Sequence, residues 1–286
     1  MFHQKPHTYV SHVALKVMDL TRSLDFYQTV LGLKVQSRAE GKVVLTADGK
    51  KALLTLEQPE HVTPLQHSET GLYHFALLLP SRADLGRMLR HFLLLRQPLQ
   101  GASDHLVSEA IYLSDPDGNG IEVYADRPPS TWKWNQGNVD MATIPLDAEG
   151  LISEAGNEEW QGIPVETIMG HIHLQVAELS KSGDFYTNGL GFDAVLRYGP
   201  QALFVSTGGY HHHIGLNTWN SSGAVAPKES SVGLHYFTIV FPNQASLKAQ
   251  VEKVKQTGAV VNSNGDYFTT VDPSGIKMEL VVQESE

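Results

Sequence analysis

The 286-residue chain predicts an α+β fold of four β-α-β-β-β modules arranged as two homologous halves. Three features carry this reading: internal repetition, alternating apolar runs, and amphipathic stretches closed by glycine turns. Residues 11–33, SHVALKVMDLTRSLDFYQTVLGL, return as residues 170–192, GHIHLQVAELSKSGDFYTNGLGF. His12 matches His171, Asp25 matches Asp184, Phe26-Tyr27 matches Phe185-Tyr186 and Gly32 matches Gly191, all at one constant offset. GLYHFALLLP at 71–80 returns as GLHYFTIVFP at 233–242, and DPDGNGIEVY at 115–124 returns as DPSGIKMELV at 272–281. Self-similarity of this kind marks a duplicated structural unit. The halves are 8–127 and 167–284.

The elements follow in order within the first half. Val13, Leu15 and Val17 alternate with Ala14 and Lys16, the period of a half-buried strand. A helix then starts near Asp19-Leu20-Thr21, with Asp19 or Thr21 as N-cap and Leu24, Tyr27 and Leu31 on one face. Gly32 stops it, because a glycine takes the left-handed backbone that ends helices. Strand-like runs at Lys34–Ser37, Val43–Thr46 and Ala52–Leu56 are separated by Gly or Asp-Gly turns. The second module opens with Tyr73–Leu79 and continues with a helix from Arg82 to about Leu95. It closes with Ala110–Leu113, an Asp115-Pro-Asp-Gly turn and Ile121–Ala125. Asp115 and Asp117 are read as turn residues, and Phe26-Tyr27 and Phe185-Tyr186 as helix core contacts. Residues 128–166 break the repeat, with Pro128-Pro129, three tryptophans and many acids. They read as a connection that packs on the surface, with a short helix within Leu146–Ala155, and Glu284-Ser-Glu reads as a solvated end.

Composition excludes several classes of function. A net charge of −10, with no Lys/Arg-rich block, disfavours a nucleic-acid or anionic-membrane surface. With no cysteine there is no disulfide framework, thiolate metal site, iron–sulfur cluster or cysteine nucleophile. That absence fits a reducing cytoplasm. No apolar run reaches the roughly 18 residues that a membrane span requires, and the start has no long apolar stretch of the signal-peptide type. Fourteen histidines point instead to metal chemistry.

Paired β-α-β-β-β modules closing on SDPDGNGIEVYADRP and GLYHFALLLP resemble the vicinal oxygen chelate superfamily. That family includes glyoxalase I, fosfomycin-resistance proteins and type I extradiol dioxygenases. The resemblance covers nearly the whole chain outside residues 128–166. Four modules at this length are most similar to the bacterial catechol 2,3-dioxygenase group. It implies two domains whose curved mixed sheets form cups, with a divalent metal inside one of them. In this superfamily the ligands come from the first strand of each paired module and the last strand of the second. Carried onto the N-terminal half, these positions are His12, His74 and Glu122, a two-histidine, one-carboxylate set suited to non-haem Fe(II). The C-terminal equivalents are His171, Tyr236 and Glu279. There the histidine has slipped to His235, and a one-residue slip turns a side chain to the opposite face of its strand. The N-terminal set is therefore the expected site and the C-terminal set a degenerate one. His173, two residues past His171, shares its face and reads as a supporting residue.

The same resemblance assigns Tyr112 as the active-site tyrosine and His105 as the histidine that stabilises charge or donates a proton. His105 is displaced about two residues from the family spacing, a shift that preserves a strand face. The family's acid–base histidine has no counterpart in KKALLTLEQ of the N-terminal half. Its best match is His212 in GGYHHHIGLN of the C-terminal half. His211, His212 and His213 cannot all face one way on a strand. A lone histidine on a strand is more often structural than ligating, so each assignment leans on the others.

The expected function is an extradiol dioxygenase that uses Fe(2+) and O2 to cleave catechol or a substituted catechol. Mn(2+), Zn(2+) and Ni(2+) are the alternative ions. The competing readings are a glyoxalase-like metal-dependent isomerase or transferase, which often carries an extra carboxylate ligand, and a non-catalytic binding or resistance protein for an aromatic ligand. The absent N-terminal acid–base histidine favours the last of these. A small aromatic substrate, no nucleic-acid or membrane partner, and a homo-oligomer formed through sheet edges complete the expectation.

Overall fold

The computed structural model describes residues 1–66 and 68–282, so the acidic end at 284–286 lies outside the described residues. Four β-α-β-β-β modules are present. The first has β1 (Tyr9–Lys16), α1 (Leu20–Thr29), β2 (Lys34–Ala39), β3 (Lys42–Thr46) and β4 (Leu54–Glu57). The second has β5 (Gly71–Leu78), α2 (Arg82–Leu95), β6 (Gly101–Asp104), β7 (Ser108–Ser114) and β8 (Gly120–Asp126). The connection carries the two-residue strands β9 (Trp134–Asn135), β10 (Asn138–Val139) and β11 (Ile144–Pro145), then α3 (Ala148–Glu154). The third module has β12 (Ile168–Gln175), α4 (Leu179–Asp184), β13 (Asp193–Tyr198), β14 (Ala202–Ser206) and β15 (Ile214–Asn217). The fourth has β16 (Gly233–Phe241), α5 (Gln244–Gln256), β17 (Val261–Asn264), β18 (Tyr267–Val271) and β19 (Lys277–Val282).

Local chemistry places the helices. The Asp19 carboxylate, not Thr21, accepts from the Arg22 N–H and caps α1, as Ser81 caps α2 through Asp84 N–H. Each cap satisfies a backbone donor that the first turn leaves free. Gly32 has φ +73°, the left-handed geometry expected of a helix stop. The helix after β12 departs from its repeat partner: α4 widens at Phe185–Gly189 into a π-helical turn. Tyr27 and Tyr186 are buried and donate to Asp115 and Asp272, tying each helix to the closing turn of the next module. Among the described residues, no helix is long and apolar enough to cross a membrane.

The sheets do not follow the two halves. The antiparallel pairing of β5 with β12 joins the second and third modules into a nine-stranded sheet, ordered β11-β6-β7-β8-β5-β12-β15-β14-β13. The pairing of β1 with β16 joins the first and fourth into an eight-stranded sheet, ordered β17-β18-β19-β16-β1-β4-β3-β2. Each cup thus takes one module from each half. The four central strands send alternate residues into one core: Val13 and Leu15, Phe75 and Leu77, Ile172 and Leu174, Phe237 and Ile239. The helices add Leu24, Met88, Phe185 and Leu247 to it. Each fully buried side chain of this size contributes about 1.5–3 kcal/mol. The residues between them are left for the cups.

The connecting segment packs as a strap on the second module. A Cβ on Gly86 of α2 would lie 2.2 Å from the Leu151 carbonyl of α3, so glycine permits this helix crossing. Trp160 stacks on His91 with ring centroids 3.5 Å apart. β11 adds to the edge of β6, which brings residues 141–143 to the rim of the nine-stranded cup.

Candidate metal centre

Three side chains converge on the floor of the nine-stranded cup: His74 from β5, Glu122 from β8 and His171 from β12. One ligand atom of each lies within 4.8 Å of the other two. All three residues are buried. Glu122 Oε2 is 3.0 Å from His74 Nε2 and 3.2 Å from His171 Nε2. The His74 nitrogen is not aligned to donate to that oxygen. His74 Nε2 and His171 Nδ1 are both buried without a hydrogen-bond partner. An orphaned buried imidazole nitrogen is costly, and a cation between the two rings and the carboxylate removes the cost at His74. Burial pushes the Glu122 pKa up, yet the facing His171 and His74 outweigh it and hold the group well below the usual carboxylate range. Burial lowers the His171 pKa. An ionised carboxylate beside a neutral imidazole is the state in which such groups bind a divalent ion. The residues therefore fit the metal that the sequence implied.

His12 does not join this group. It lies on β1 in the other sheet, where its Nε2 meets the Thr55 hydroxyl at 2.8 Å and its Nδ1 the Thr238 hydroxyl at 3.5 Å. The physical reason is the strand partner. β5 pairs with β12 and not with β1, so the imidazole that faces His74 and Glu122 comes from the C-terminal half. His171, expected in the degenerate set, stands in the place assigned to His12. Tyr236 is 5.9 Å from the His12 ring, and Glu279 lies on β19 of the same sheet. Tyr236 is opposed to Ala14 and forms part of the second cup, while His235 turns away to Glu57 at 2.8 Å. His235 fills a break in the register with β1, so its turn to Glu57 is set by that irregularity and not by simple alternation.

Strand irregularities aim the ligands. Between Met169 and His171 the register with β5 shifts at Gly170, and the same shift recurs at Ser11 before His12. Such bulges re-aim side chains. A Cβ on Gly170 would lie 2.0 Å from the Tyr124 hydroxyl. The Gly170 carbonyl accepts from His3 Nε2 at 2.7 Å, so the N-terminal segment braces the bulge from behind. Tyr73 occupies the second irregularity of β5 and His235 the corresponding one of β16.

The three consecutive histidines precede β15 and do not lie on a strand as expected, and the loop sends each of them in a different direction. His212 lines the cavity, its ring 4.1 Å from that of His171. His211 turns to Asp126, Nε2 to Oδ1 at 2.8 Å. His213 turns to Ser206 and the Phe2 carbonyl. The Asp126 carboxylate can only accept, so His211 donates from Nε2 and its Nδ1 becomes an acceptor. His212 Nδ1 lies 2.8 Å from that atom and must donate to it, which leaves Nε2 as the free acceptor of His212. Burial holds the His212 pKa well below its ordinary value.

Tyr112 is opposite Glu122 across β7 and β8 and lines the same cavity. Burial and the Glu122 charge push its pKa well above the ordinary tyrosine value. Its hydroxyl is 2.6 Å from His105 Nε2. His105 lies in the β6–β7 turn, not on a strand, and donates from Nδ1 to the Ala142 carbonyl at 2.7 Å. The connecting segment thus orients a residue of the site, a role that the sequence did not suggest. His173 lies on the same face as His171 and is held by Asn217 at 3.1 Å. Gly215 makes room for its ring, since a Cβ there would come within 2.8 Å. Asp126, Asn217, Gly215 and Trp219 were missed, because no spacing in the chain links them to the ligands. The cavity lined by His74 and Glu122 measures about 810 Å³.

The sequence profile of the Glyoxalase/Bleomycin resistance protein/Dioxygenase superfamily matches residues 9–123 and 168–280. A catechol-2,3-dioxygenase of Bacillus subtilis (strain 168) is 46% identical over 283 residues, covering 96% of this chain and 98% of that protein. Among solved structures, a protein from Bacillus subtilis subsp. subtilis str. 168 aligns with TM-score 0.65 and 14% identity, covering 97% of this chain and 86% of its own. Glyoxalase I from Zea mays aligns with TM-score 0.59 and 16% identity, covering 96% and 92%. The two structures share the fold, the sequence relative shares the full length, and the profile matches both halves: the chain belongs to the Glyoxalase/Bleomycin resistance protein/Dioxygenase superfamily and is a homologue of a dioxygenase.

Proposed function

We propose that the protein is an extradiol dioxygenase that binds Fe(2+) through His74, Glu122 and His171 and cleaves a catechol beside its two hydroxyls with O2. The observation that supports it best is that His74 and Glu122 of this ligand group share one cavity with His212, whose ring lies 4.1 Å from that of His171, and with Tyr112. Two imidazoles and one carboxylate leave several coordination positions open, so that bound iron can hold both a catechol and O2 and pass electron density between them.

The chain's own residues supply the remainder. His212 Nε2 is the acceptor for a catechol hydroxyl proton, and the pair Asp126–His211 keeps it in that tautomer. The Tyr112 hydroxyl donates to His105 Nε2, whose Nδ1 proton is held by the Ala142 carbonyl, so the phenol oxygen, opposite Glu122, is left to accept from a substrate hydroxyl. Asn217 and Gly215 fix the His173 ring as a wall of the cavity. Leu72 and Phe204 give the cavity apolar walls.

Among the described residues, the group offers one carboxylate and not two, which disfavours the isomerase reading. The histidine that the N-terminal half lacks is supplied across the β5–β12 seam, which removes the support for a purely binding protein. Anaerobically Fe(2+)-loaded protein given catechol and then air should consume one O2 per catechol and yield a ring-opened hydroxy-aldehyde acid. Catechol bound without O2 uptake would overturn the reading.

A further inference from the structure

The proposed chemistry needs only a small part of the cavity. A space of about 150 Å³ accommodates benzene, whereas this cavity measures about 810 Å³. The surplus has a definite lining. Three rings frame it, each edge-on to the next: Tyr73 to His173 at 5.0 Å, Tyr73 to Trp219 at 5.3 Å and His173 to Trp219 at 5.4 Å. The frame starts at the ligand triad, because the His173 ring is 5.0 Å from that of His74. It ends at the mouth, where Tyr73 is 38% and Trp219 40% exposed. Phe204 extends it on the far side of His173, with centroids 5.5 Å apart. Tyr73 reaches the cavity because it sits at an irregularity of β5 that re-aims its side chain.

Charge narrows the choice further. Among the described lining residues there is no lysine or arginine, and the two fully charged groups, Glu69 and Glu122, are both acidic. One Glu69 oxygen is buried without a partner. An anionic substituent would leave water with no cation to receive it and with acidic oxygens nearby, whereas an apolar one would cover exposed aromatic surface.

We infer that the preferred substrate is a catechol carrying an apolar, uncharged ring substituent seated against Tyr73 and Trp219, and that catechols carrying a carboxylate are excluded. The inference rests on the extradiol reading of the site and names the residues that select among catechols.

Its test compares three ligands on anaerobic Fe(2+)-loaded protein: catechol, 4-propylcatechol and 3-(3,4-dihydroxyphenyl)propanoate. The last two differ chiefly in a terminal carboxylate. Affinity is read by calorimetry and tryptophan fluorescence, and O2 uptake is then measured on admitting air. The propyl compound should bind at least tenfold tighter than catechol, and the propanoate at least a hundredfold more weakly than the propyl compound. Trp219→Ala should weaken propylcatechol at least fivefold more than it weakens catechol, with Trp219→Phe recovering much of the difference. The propanoate binding as well as the propyl compound, with catechol still bound and cleaved, overturns this inference alone. Failure of all three to bind overturns the extradiol reading with it.

Discussion

His74 and Tyr236 occupy the same position of two related strands, and among the described residues only the cup that holds His74 brings three such potential ligands together. The pair Tyr73-His74 is reversed at His235-Tyr236, so the second cup sends a phenol inward and gives its histidine to Glu57. Glu122→Gln removes the only carboxylate of the group. Loss of an outer-shell partner costs 10–100-fold in metal affinity, so loss of this ligand should exceed about a hundredfold, read as metal content after dialysis. Asp126→Asn leaves the ligands in place and releases the tautomer of His211 and His212. It should lower kcat about ten- to a hundredfold with unchanged metal content. In the other cup, burial and then Lys42 hold the His12 pKa down at about 4, against 6.5 for a free histidine. Below pH 6.5 the unfolded chain takes up a proton there that the folded chain refuses. This stability is present above pH 6.5 and lost as pH falls towards 4, about 3 kcal/mol in all. His12→Gln should flatten urea-denaturation stability between pH 6.5 and 4, and an unchanged slope would refute it.

At the scale of single elements, much was legible in the sequence. Apolar alternation located β1 and β5, the helix after β1 stopped at Gly32 as turn chemistry required, the Arg82–Leu95 helix formed where expected, and the Asp115 turn formed as read. What the pattern of one strand cannot report is a bulge, since a bulge is defined by the register against the partner strand. Gly170, the residue that aims His171, was therefore invisible as such. Its hydrogen in place of a Cβ is required by Tyr124. Gly170→Ala should cost about 1–3 kcal/mol by overpacking and should also weaken metal binding, measured by denaturation and metal titration on the same sample. A variant with native stability and metal affinity would contradict the role given to the bulge. His105 was placed on a strand by its spacing and lies in a turn; its orientation comes from Ala142, 37 residues along the chain.

At the scale of the whole molecule, the repeat was legible and its assembly was not. Periodicity tells which face of a strand is apolar, but not which of four equivalent strands lies beside it. The superfamily profile matches twice, at 9–123 and 168–280, yet each sheet crosses between the two halves through β1–β16 and β5–β12. The cross-half group of His74, Glu122 and His171, with His212 beside His171, is one that neither half holds alone. The N-terminal half by itself keeps His74 and Glu122 without His171, and it exposes the unpaired edges of β1 and β5. Expressed as residues 1–127, it should bind no metal at the affinity of the full chain and should associate through those edges, visible by size-exclusion chromatography.

The most direct test compares His171→Ala with His12→Ala for bound iron and for O2 uptake with catechol. The cross-sheet assembly predicts that His171→Ala loses both while His12→Ala keeps both. Loss of iron and uptake in His12→Ala, with both retained in His171→Ala, would contradict it and return the centre to a cup built from the N-terminal half alone.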